Sequence, residues 1–497
     1  MANDSVGRVD TSWDWAGWAV VVVAVVLAVV GAGDHAGAWN DGSRLAAVES
    51  LVDRGTFAID DSIYVRVPPT VDGMPRPYAD TPPALNITGT LDKLLIDGRF
   101  YSDKTPVLSV LMAGLYRVWL AAGGPHAAER PDLFCWFLTL ATSGLAYVLA
   151  VACVVRLGRV LGLTGGIGAA FPAAFAFATF AAVYSRVVNS HVVLLAVAAG
   201  LCLALARATR DGVTEWDRWG RPVVIGLLAG FAYAIDFGLA PGFVLGTLGY
   251  CIATYRRTLP VALVVLGMLP WVVAHHALNY AVGGTFVPAN AVPQYLQWPS
   301  VNGLPGSPFT EGIMTGGLKH SPAGFVLYAA DMLFGKKGFF LHNLPLLLVP
   351  GGACLLWLRR KPDRAAVGFA LAVCGLGWLA YAANSTNLSG QCCSVRWFVP
   401  FLAPEFWIVG LVLRHFPRYR PDLLWLTLCG TGEGILMFWA GPWTPWMVPG
   451  YWGWVAVALV GWGVVRYRNR ERKTCETADE ESAHGMTQVG AGSHPAP

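Results

Sequence analysis

Charged residues are scarce in this sequence. Asp, Glu, Lys and Arg make up only 13% of its 497 residues, whereas roughly a quarter is usual for a soluble domain. Hydrophobic residues make up 55%, and long apolar runs recur from residue 16 to residue 466. Because a soluble fold could not bury that much apolar surface, the composition excludes an ordinary soluble domain. It predicts an all-α polytopic membrane protein with many spans and no separate soluble domain.

A disulfide framework and a metal-ligand pattern are also missing. Seven of the ten cysteines lie inside apolar segments, where a thiol usually serves as a small hydrophobic group. Cys392 and Cys393 lie together in a predicted outer loop, but no Cys or His at metal-ligand spacing surrounds them. Dense acidic clusters that could hold a divalent ion are absent as well. We therefore expect no cofactor and no required metal.

Basic residues recur in the short segments between the apolar runs, which indicates orientation and not a nucleic-acid surface. If these segments are cytoplasmic, both termini lie inside and the chain crosses the membrane twelve times. The clusters are Arg156/Arg159, Arg207 to Arg221, Arg256/Arg257, Arg359/Arg360/Lys361, Arg414 to Arg420 and Arg466 to Lys473. The predicted spans lie near residues 16–33, 131–155, 160–183, 190–206, 222–254 (two half-helices), 259–281, 339–358, 365–383, 396–413, 423–440 and 451–466.

Residues 222–254 have basic clusters at both ends, so the segment must enter the membrane and return. A continuous helix of that length would measure roughly 50 Å, too long for a hydrocarbon core about 30 Å thick. Asp236 and Pro241-Gly242 mark the predicted break between two half-helices. A carboxylate at such a break is costly unless it is paired or wet, which predicts that Asp236 borders a cavity.

Two shorter apolar segments, 106–122 and 321–338, are predicted to be interfacial or re-entrant helices. Counting the first as a crossing would place the Arg156/Arg159 cluster outside and Arg117 deep in the bilayer. The polar tail from Thr474 to Pro497 has the composition of a disordered segment.

A long loop, residues 34 to about 130, follows the first span on the predicted outer side. Loops of this size usually carry function. Leu45, Val48, Leu51 and Val52 repeat at helical spacing, which predicts an amphipathic helix over residues 43–54 on the membrane face. We expect Gly55 to end it.

The titratable residues of this loop carry a resemblance to a known family. An acidic residue closely followed by Arg at the start of a surface helix, and GRFYSDKTP at 98–106, resemble the first loop of GT-C transferases. Lipid A aminoarabinose transferases and protein O-mannosyltransferases belong to this superfamily. The resemblance implies that Asp41 is the acidic residue, Arg44 the following basic residue, and Tyr101 and Lys104 the aromatic and basic pair. It implies a GT-C-like transmembrane domain over residues 1–466 and a cytoplasmic tail over residues 467–497.

The catalytic base of such a transferase is left open among three carboxylates. In the family an Asp of this loop faces the acceptor or the donor's anomeric carbon, and basic residues hold the lipid phosphate. We rank Asp41 first, Asp92 second and Asp103 third, because an alignment through Asn40 would leave the acid to one of the later two. A carboxylate can take the acceptor's proton while Arg44 and Lys104 stabilise the departing phosphate. The alternative is that Asp92 and Asp103 only pair with neighbouring lysines as solvated charges.

Three polar residues further along the chain complete the candidate site. His191 opens the helix after the second predicted outer loop and is a plausible proton carrier, or simply a helix-start residue. Asp236 is assigned to substrate binding at the helix break. Arg396 precedes an aromatic and Pro-containing span, as in the superfamily, and could bind phosphate or merely anchor the interface.

The predicted function is an inverting membrane glycosyltransferase. It would move a sugar from a polyprenyl-phosphate donor to a lipid, glycan or protein acceptor on the extracytoplasmic face. A bacterial inner membrane is the expected location, and membrane lipids are the expected surroundings. A lipid or solute transporter is the alternative, although no internal repeat of the kind common in transporters is visible. A catalytically inactive assembly subunit is a third alternative.

Overall fold

The computed structural model describes most of the chain. It describes residues 15–69, 71, 73–80, 82–208, 215–255, 257–300, 305–309, 320–359, 363–444 and 448–489, with the backbone alone at 470 and 472–489. Some of the predictions above fall on residues outside this described part. These residues are 1–14, 209–214, Arg256, Arg360, Lys361 and 490–497.

The described chain is built almost entirely of helices. Its first third contains α1 Trp15–Gly31, α2 Trp39–Asp53, α3 Leu85–Thr88, α4 Pro106–Ala121, α5 Pro131–Thr139, α6 Leu145–Val160, α7 Gly165–Phe177 and α8 Ala181–Tyr184. The remainder contains α9 Ser190–Ala208, α10 Glu215–Ile235, α11 Ala240–Tyr255, α12 Thr258–Gly283, α13 Pro322–Phe334, α14 Val349–Arg359, α15 Arg364–Ala370, α16 Leu376–Asn384, α17 Leu402–His415, α18 Arg420–Ala440 and α19 Tyr451–Val489. Single π-helical turns join α5 to α6 and α15 to α16, and a 3₁₀ turn, Arg396–Phe401, leads into α17.

Six helical stretches in the described residues are long and apolar enough to cross a membrane. They are Pro131–Val160, Ser190–Ala208, Thr258–Gly283, Arg364–Asn384, Arg396–His415 and Pro417–Ala440. Shorter apolar helices include α1, α4, α7 and α13. These helices agree with an all-α polytopic membrane architecture, whereas the count of twelve crossings stays a prediction.

The predicted helix break is present at Asp236. Helix α10 ends at Ile235 and α11 begins at Ala240, so Pro241 and Gly242 lie in the first turn of α11 and not at the break. Helix α10 packs closely on α12 because small residues face each other. A Cβ atom on Gly226 would lie 2.1 Å from the Val264 carbonyl oxygen, which shows how near the two backbones are. This tight pair fixes Asp236 in place beside the first loop.

The first loop folds into a compact layer against the bundle. Helix α2 begins at Trp39, earlier than predicted, and its C-terminal residue Asp53 is followed by Gly55 with a positive φ of 66°. Every residue from Asn40 to Ser50 is buried, so the predicted membrane-surface position of this helix is wrong. Helix α4 packs against it, and residues from outside the loop contact its charged side chains.

A two-stranded antiparallel hairpin supports the end of this layer. Strand β1, Lys93–Ile96, pairs with β2, Arg99–Ser102. Asp97 and Gly98 both have positive φ, 49° and 79°, as a type I′ turn requires. The hairpin delivers the residues that follow Ser102 to the start of α4.

The last helix extends beyond the predicted membrane segment. Helix α19 continues from Tyr451 to Val489, past Thr474, where the composition predicts disorder. No proline interrupts residues 451–489, and this stretch is rich in residues that favour helices. The division into a transmembrane domain and a disordered tail stays a prediction.

Candidate active site

A large cleft lies between the first loop and the helix bundle. Its volume is about 1450 Å³, counting its open mouth. The first loop contributes one wall, and the start of α9, the α10–α11 junction, α16 and the loop before α17 contribute another. The polar lining residues are Asn40, Arg44, Asp103, Lys104, Thr105, Ser190, His191, Asp236, Asn290, Tyr381, Asn384, Ser385 and Arg396.

The first-loop wall contains a lysine between two carboxylates. Lys104 Nζ lies 2.7 Å from Asp92 Oδ2 and 2.7 Å from Asp103 Oδ2. Asp103 also accepts a hydrogen bond of 3.1 Å from the Ser43 hydroxyl. Burial raises the pKa of the Asp103 carboxyl, and the positive charge of Lys104 opposes that rise. Asp103 lines the cleft, whereas Asp92 lies behind Lys104 and is absent from the lining.

Arg44 also belongs to this wall. Its side chain projects from the middle of α2, and Nη2 donates a hydrogen bond of 2.8 Å to the Ser190 hydroxyl. Its Nε has no hydrogen-bond partner, and no carboxylate of the described residues lies within salt-bridge distance. Burial lowers the pKa of the Arg44 guanidinium to about 10, with Asp103 acting in the opposite direction. Arg44 therefore remains protonated at neutral pH and keeps unused donors.

The bundle wall contains a histidine beside a restrained carboxylate. His191 Nδ1 lies 3.3 Å from Asp236 Oδ2, without the alignment of a regular hydrogen bond. Asp236 Oδ1 accepts from the backbone N–H of Gly238 at 3.0 Å and from the Tyr381 hydroxyl at 3.3 Å. Because the helix break supplies free N–H groups, this carboxylate is held by the backbone itself. The arrangement can orient the imidazole of His191 toward the cleft.

Arg396 is a second cation of the cleft without a carboxylate partner among the described residues. Its backbone N–H donates to the Ser389 hydroxyl at 3.0 Å, and its side-chain Nε, which is buried, has no hydrogen-bond partner in the described part of the chain. The guanidinium carbon lies 5.4 Å from the centre of the Trp443 ring, within range of a cation–π interaction. Arg396 therefore rests on an aromatic ring while its donors remain free.

Asp41, ranked first as the base, does not line the cleft. Its two oxygens accept from the backbone N–H groups of Gly37 and Ala38, both at 2.9 Å, and of Gly42 at 3.1 Å. A fourth donor, the Trp443 indole N–H, lies 3.1 Å away. Burial raises the pKa of the Asp41 carboxyl although the hydrogen bonds from Gly37, Ala38 and Trp443 favour its charged form. Four donors thus occupy the acceptor sites of this carboxylate, and the assignment of Asp41 as the base stays a prediction.

Tyr101 faces a second, smaller cavity of about 430 Å³. This cavity shares Asp103, Lys104, Thr105 and Asn290 with the main cleft, so the two spaces lie on either side of the same residues. The structure thus brings six of the nine predicted site residues to one cleft and leaves the other three beside it. Those at the cleft are Arg44, Asp103, Lys104, His191, Asp236 and Arg396, and those beside it are Asp41, Asp92 and Tyr101.

Sequence reasoning missed several residues of the site. Tyr381 contacts Asp236, and Ser190 contacts Arg44. The Trp443 ring lies against the guanidinium of Arg396. Ser190 adjoins His191 and could have been included with it. Tyr381 and Trp443 are single aromatic residues in apolar or Pro-rich surroundings, where a membrane-interface role is the ordinary interpretation.

In the part of the chain that the structure describes, no group of three or more His, Cys, Asp or Glu side chains could hold a metal ion. The cleft carboxylates instead face cations and hydroxyl groups. The expectation that no cofactor or metal is required stays a prediction.

The fold is similar to that of known membrane transferases. No protein-family model and no curated protein sequence matches the chain. Among solved structures, ArnT from Cupriavidus metallidurans bound to undecaprenyl phosphate matches with a TM-score of 0.50 and 13% identity, over 91% of this chain and 77% of ArnT. The apo state of the same protein matches with a TM-score of 0.50 and 14% identity, over 90% and 75%. An oligosaccharyltransferase from Archaeoglobus fulgidus matches with a TM-score of 0.43 and 12% identity, over 89% and 56%.

ArnT is a lipid A aminoarabinose transferase of the GT-C superfamily. The likeness of this chain to ArnT concerns the fold, which runs through nine tenths of the sequence. The resemblance expected from the first loop is therefore confirmed at the level of the GT-C fold alone. The six long apolar helices agree with a chain that is embedded in a membrane.

Proposed function

We propose that this protein is a glycosyltransferase that moves a sugar from a polyprenyl-phosphate-linked donor to an acceptor on the extracytoplasmic face. One observation carries the proposal: Arg44 and Arg396, two guanidinium groups without a carboxylate partner in the described residues, border the same cleft as Asp103. Glycosyl transfer from a lipid phosphate needs cations that stabilise the anionic leaving group and a base that takes the proton of the acceptor.

The two arginines are proposed to hold the phosphate of the donor. Arg44 and Arg396 lie close enough that each positive charge disfavours the other, as the effect of Arg396 on the pKa of Arg44 indicates. A phosphate between them would relieve this repulsion and accept several charge-assisted hydrogen bonds. The binding of undecaprenyl phosphate by ArnT, which has the same fold, supports a polyprenyl phosphate as the ligand.

Asp103 is proposed as the catalytic base in place of Asp41. It lines the cleft, and burial raises its pKa, which makes it a better proton acceptor than an ordinary aspartate. As Asp103 takes the proton of the acceptor's nucleophilic group, that group forms a bond to the sugar's anomeric carbon. The bond from this carbon to the phosphate oxygen breaks, and its electron pair leaves with the polyprenyl phosphate. A direct displacement of this kind inverts the anomeric configuration.

His191, Asp236 and Lys104 are proposed to assist this step. Asp236 holds the imidazole of His191, which can then donate a hydrogen bond to the bound sugar or phosphate. Lys104 stabilises the charged form of Asp103. Because its positive charge lies between Asp103 and Asp92, it offsets the repulsion between the two carboxylates.

The orientation of the chain follows from the basic clusters between the spans. We propose that both termini are cytoplasmic and that the cleft opens on the outer face of a bacterial inner membrane. The acceptor belongs to the lipid, glycan or protein class, and the sugar is left open.

The proposal is tested with the purified full-length protein in proteoliposomes that contain polyprenyl-phosphate sugars and candidate acceptors. We expect release of free polyprenyl phosphate that depends on the acceptor, and its loss in Arg44→Gln/Arg396→Gln protein. Arg130→Gln is the matched control, because Arg130 is an exposed residue paired with Asp132 away from the cleft. Movement of intact donor between leaflets without cleavage would identify a transporter and overturn the proposal.

A further inference from the structure

A chain of contacts runs from Asp41 through Trp443 to Arg396, from the back of the first loop to the cleft. We infer that Asp41 and Trp443 are positioning residues, which hold the Arg396 guanidinium in the orientation that binds the donor's phosphate. The inference rests on the proposed function, because it concerns how that phosphate is bound. It gives Asp41 a role different from the one expected from its place in the sequence.

The first contact fixes the Trp443 ring. Asp41 Oδ2 accepts the indole N–H at 3.1 Å, while the backbone N–H groups of Gly37 and Ala38 hold the carboxylate itself. Because these donors come from the start of α2, the carboxylate cannot turn away from the indole without losing them. The Trp443 ring also lies directly on Gly37, where a Cβ atom would be 2.5 Å from Cδ1 of the ring. A residue other than glycine would displace the ring from this place.

The second contact places the ring under the arginine. The guanidinium carbon of Arg396 lies 5.4 Å from the centre of the Trp443 ring. The backbones of the two loops are also joined, since Cys393 N–H donates to the Pro442 carbonyl oxygen at 2.9 Å. Arg396 N–H is held by the Ser389 hydroxyl at 3.0 Å. The backbone bonds bring the two loops together, and the ring then selects the direction of the guanidinium.

An aromatic support differs from a carboxylate partner in a way that matters for anion binding. A carboxylate would neutralise the arginine and occupy its donors, whereas a ring face attracts the cation and leaves the N–H groups free. Arg396 lines the cleft, and no carboxylate of the described residues pairs with its guanidinium, which agrees with this difference. Arg396 is thus held in place and remains available to an anion.

The test measures binding of undecaprenyl phosphate to the full-length protein in lipid nanodiscs, separately from transfer. Trp443→Phe keeps a ring and loses the N–H, so we expect its Kd to rise roughly threefold, whereas Trp443→Leu loses both and should raise Kd roughly tenfold or more. In the transfer assay, KM for the donor should rise less in Trp443→Phe than in Trp443→Leu. In both variants kcat should change less than KM. Trp425→Phe is the matched control, because it also loses an indole N–H hydrogen bond, in this case to the backbone oxygen of Ala458, but lies away from the cleft.

A double-mutant cycle separates positioning from general stability. If Trp443 acts through Arg396, then Trp443→Leu should weaken binding little further in protein that already carries Arg396→Gln. Additive effects of the two substitutions would overturn the inference. If the unaltered protein does not bind undecaprenyl phosphate, the proposed function fails instead, so the two failures are distinguishable.

Asp41→Asn distinguishes positioning from base catalysis. An asparagine oxygen can still accept from the indole, so we expect a rise in KM of a few fold and an unchanged pH profile of kcat. A loss of kcat by several hundredfold, together with loss of the acid limb of the profile, would make Asp41 the base and overturn its positioning role. Asp53→Asn is the control on the same helix, since Asp53 is a hydrogen-bonded carboxylate that does not line the cleft.

Discussion

The two walls of the cleft hold their charges in different ways. On the first-loop wall, Asp92, Asp103 and Lys104 satisfy one another through ion pairs between side chains. On the bundle wall, Asp236 is held largely by backbone N–H groups and a tyrosine, and Arg396 rests on an aromatic ring. Side-chain ion pairs can exchange partners when a substrate enters, whereas backbone donors cannot.

This difference indicates which carboxylate can accept a proton and which one can only hold its neighbours in place. Asp103 can lose its contact with Lys104 or Ser43 and accept a proton, because both partners are side chains with other acceptors nearby. Asp236 would have to leave fixed donors to do the same. We therefore propose that Asp103 of the first-loop wall carries the proton transfer, whereas the bundle wall, together with Arg44 of the first loop, binds and orients the substrate.

The largest expected effect is that of Asp103→Asn. Removing a general base should lower kcat by about 10²- to 10⁴-fold, with a much smaller change in KM. Steady-state transfer by the reconstituted protein measures both quantities. Asp92→Asn is the matched comparison, because Asp92 contacts the same lysine but does not line the cleft. Equal losses in the two variants would show that the Lys104 ion pairs matter and that Asp103 has no special role.

The pH profile supplies an independent check on this prediction. A base must be unprotonated, so activity should fall as the pH is lowered through the pKa of Asp103, which burial raises above the ordinary value for aspartate. The acid limb should therefore lie at higher pH than for an exposed aspartate. It should disappear from the residual activity of Asp103→Asn protein, and its persistence there would assign the limb to another group.

Arg44→Gln should have the next largest effect. A hydrogen bond to a charged group contributes about 1.5 to 3 kcal/mol, so the donor's KM should rise roughly 10- to 100-fold. Lysine should restore binding only in part, because it lacks the planar set of donors. Donor titrations of the transfer rate measure the change, with Arg66→Gln as an exposed control that pairs with Asp61. An unchanged KM in Arg44→Gln protein would remove this residue from the phosphate site.

Asp236→Asn should have the smallest effect of the three. Asparagine can keep an oxygen toward the N–H of Gly238, so only the interaction with His191 weakens, and we expect kcat to fall by less than about tenfold. Single-turnover transfer at saturating donor measures this step. A loss as large as that of Asp103→Asn would move the base to the His191–Asp236 pair and reverse the assignment of the two walls.

Much of the local structure could be predicted from the sequence. The helix break at Asp236 follows from the length of the apolar segment. The Asp97-Gly98 pair is a typical signal for the tight turn of the hairpin, although no hairpin was predicted. The buried state of α2 could not be predicted, because its apolar stripe is that of a surface helix. The segments that cover its polar faces come from more distant parts of the chain, which a helical pattern does not reveal.

The order of the three carboxylates in the cleft could not be predicted for a related reason. Asp41, Asp92 and Asp103 lie in one loop and have the same chemistry, so motif spacing could not decide which of them reaches the cleft. That choice depends on which partners occupy each oxygen. The indole that binds Asp41 belongs to a residue 402 positions away in the sequence.

The sequence by itself determined that this chain has the composition of a membrane protein and consists mostly of helices, and it indicated the long first loop and a few later residues as the candidate site. These properties follow from composition and from contacts between near neighbours in the chain. Only the tertiary structure decided that Asp103 faces the cleft and Asp41 faces Trp443, and that Arg44 and Arg396 face the cleft without carboxylate partners in the described residues. Burial and partner choice are set by packing between distant segments, which no local pattern encodes.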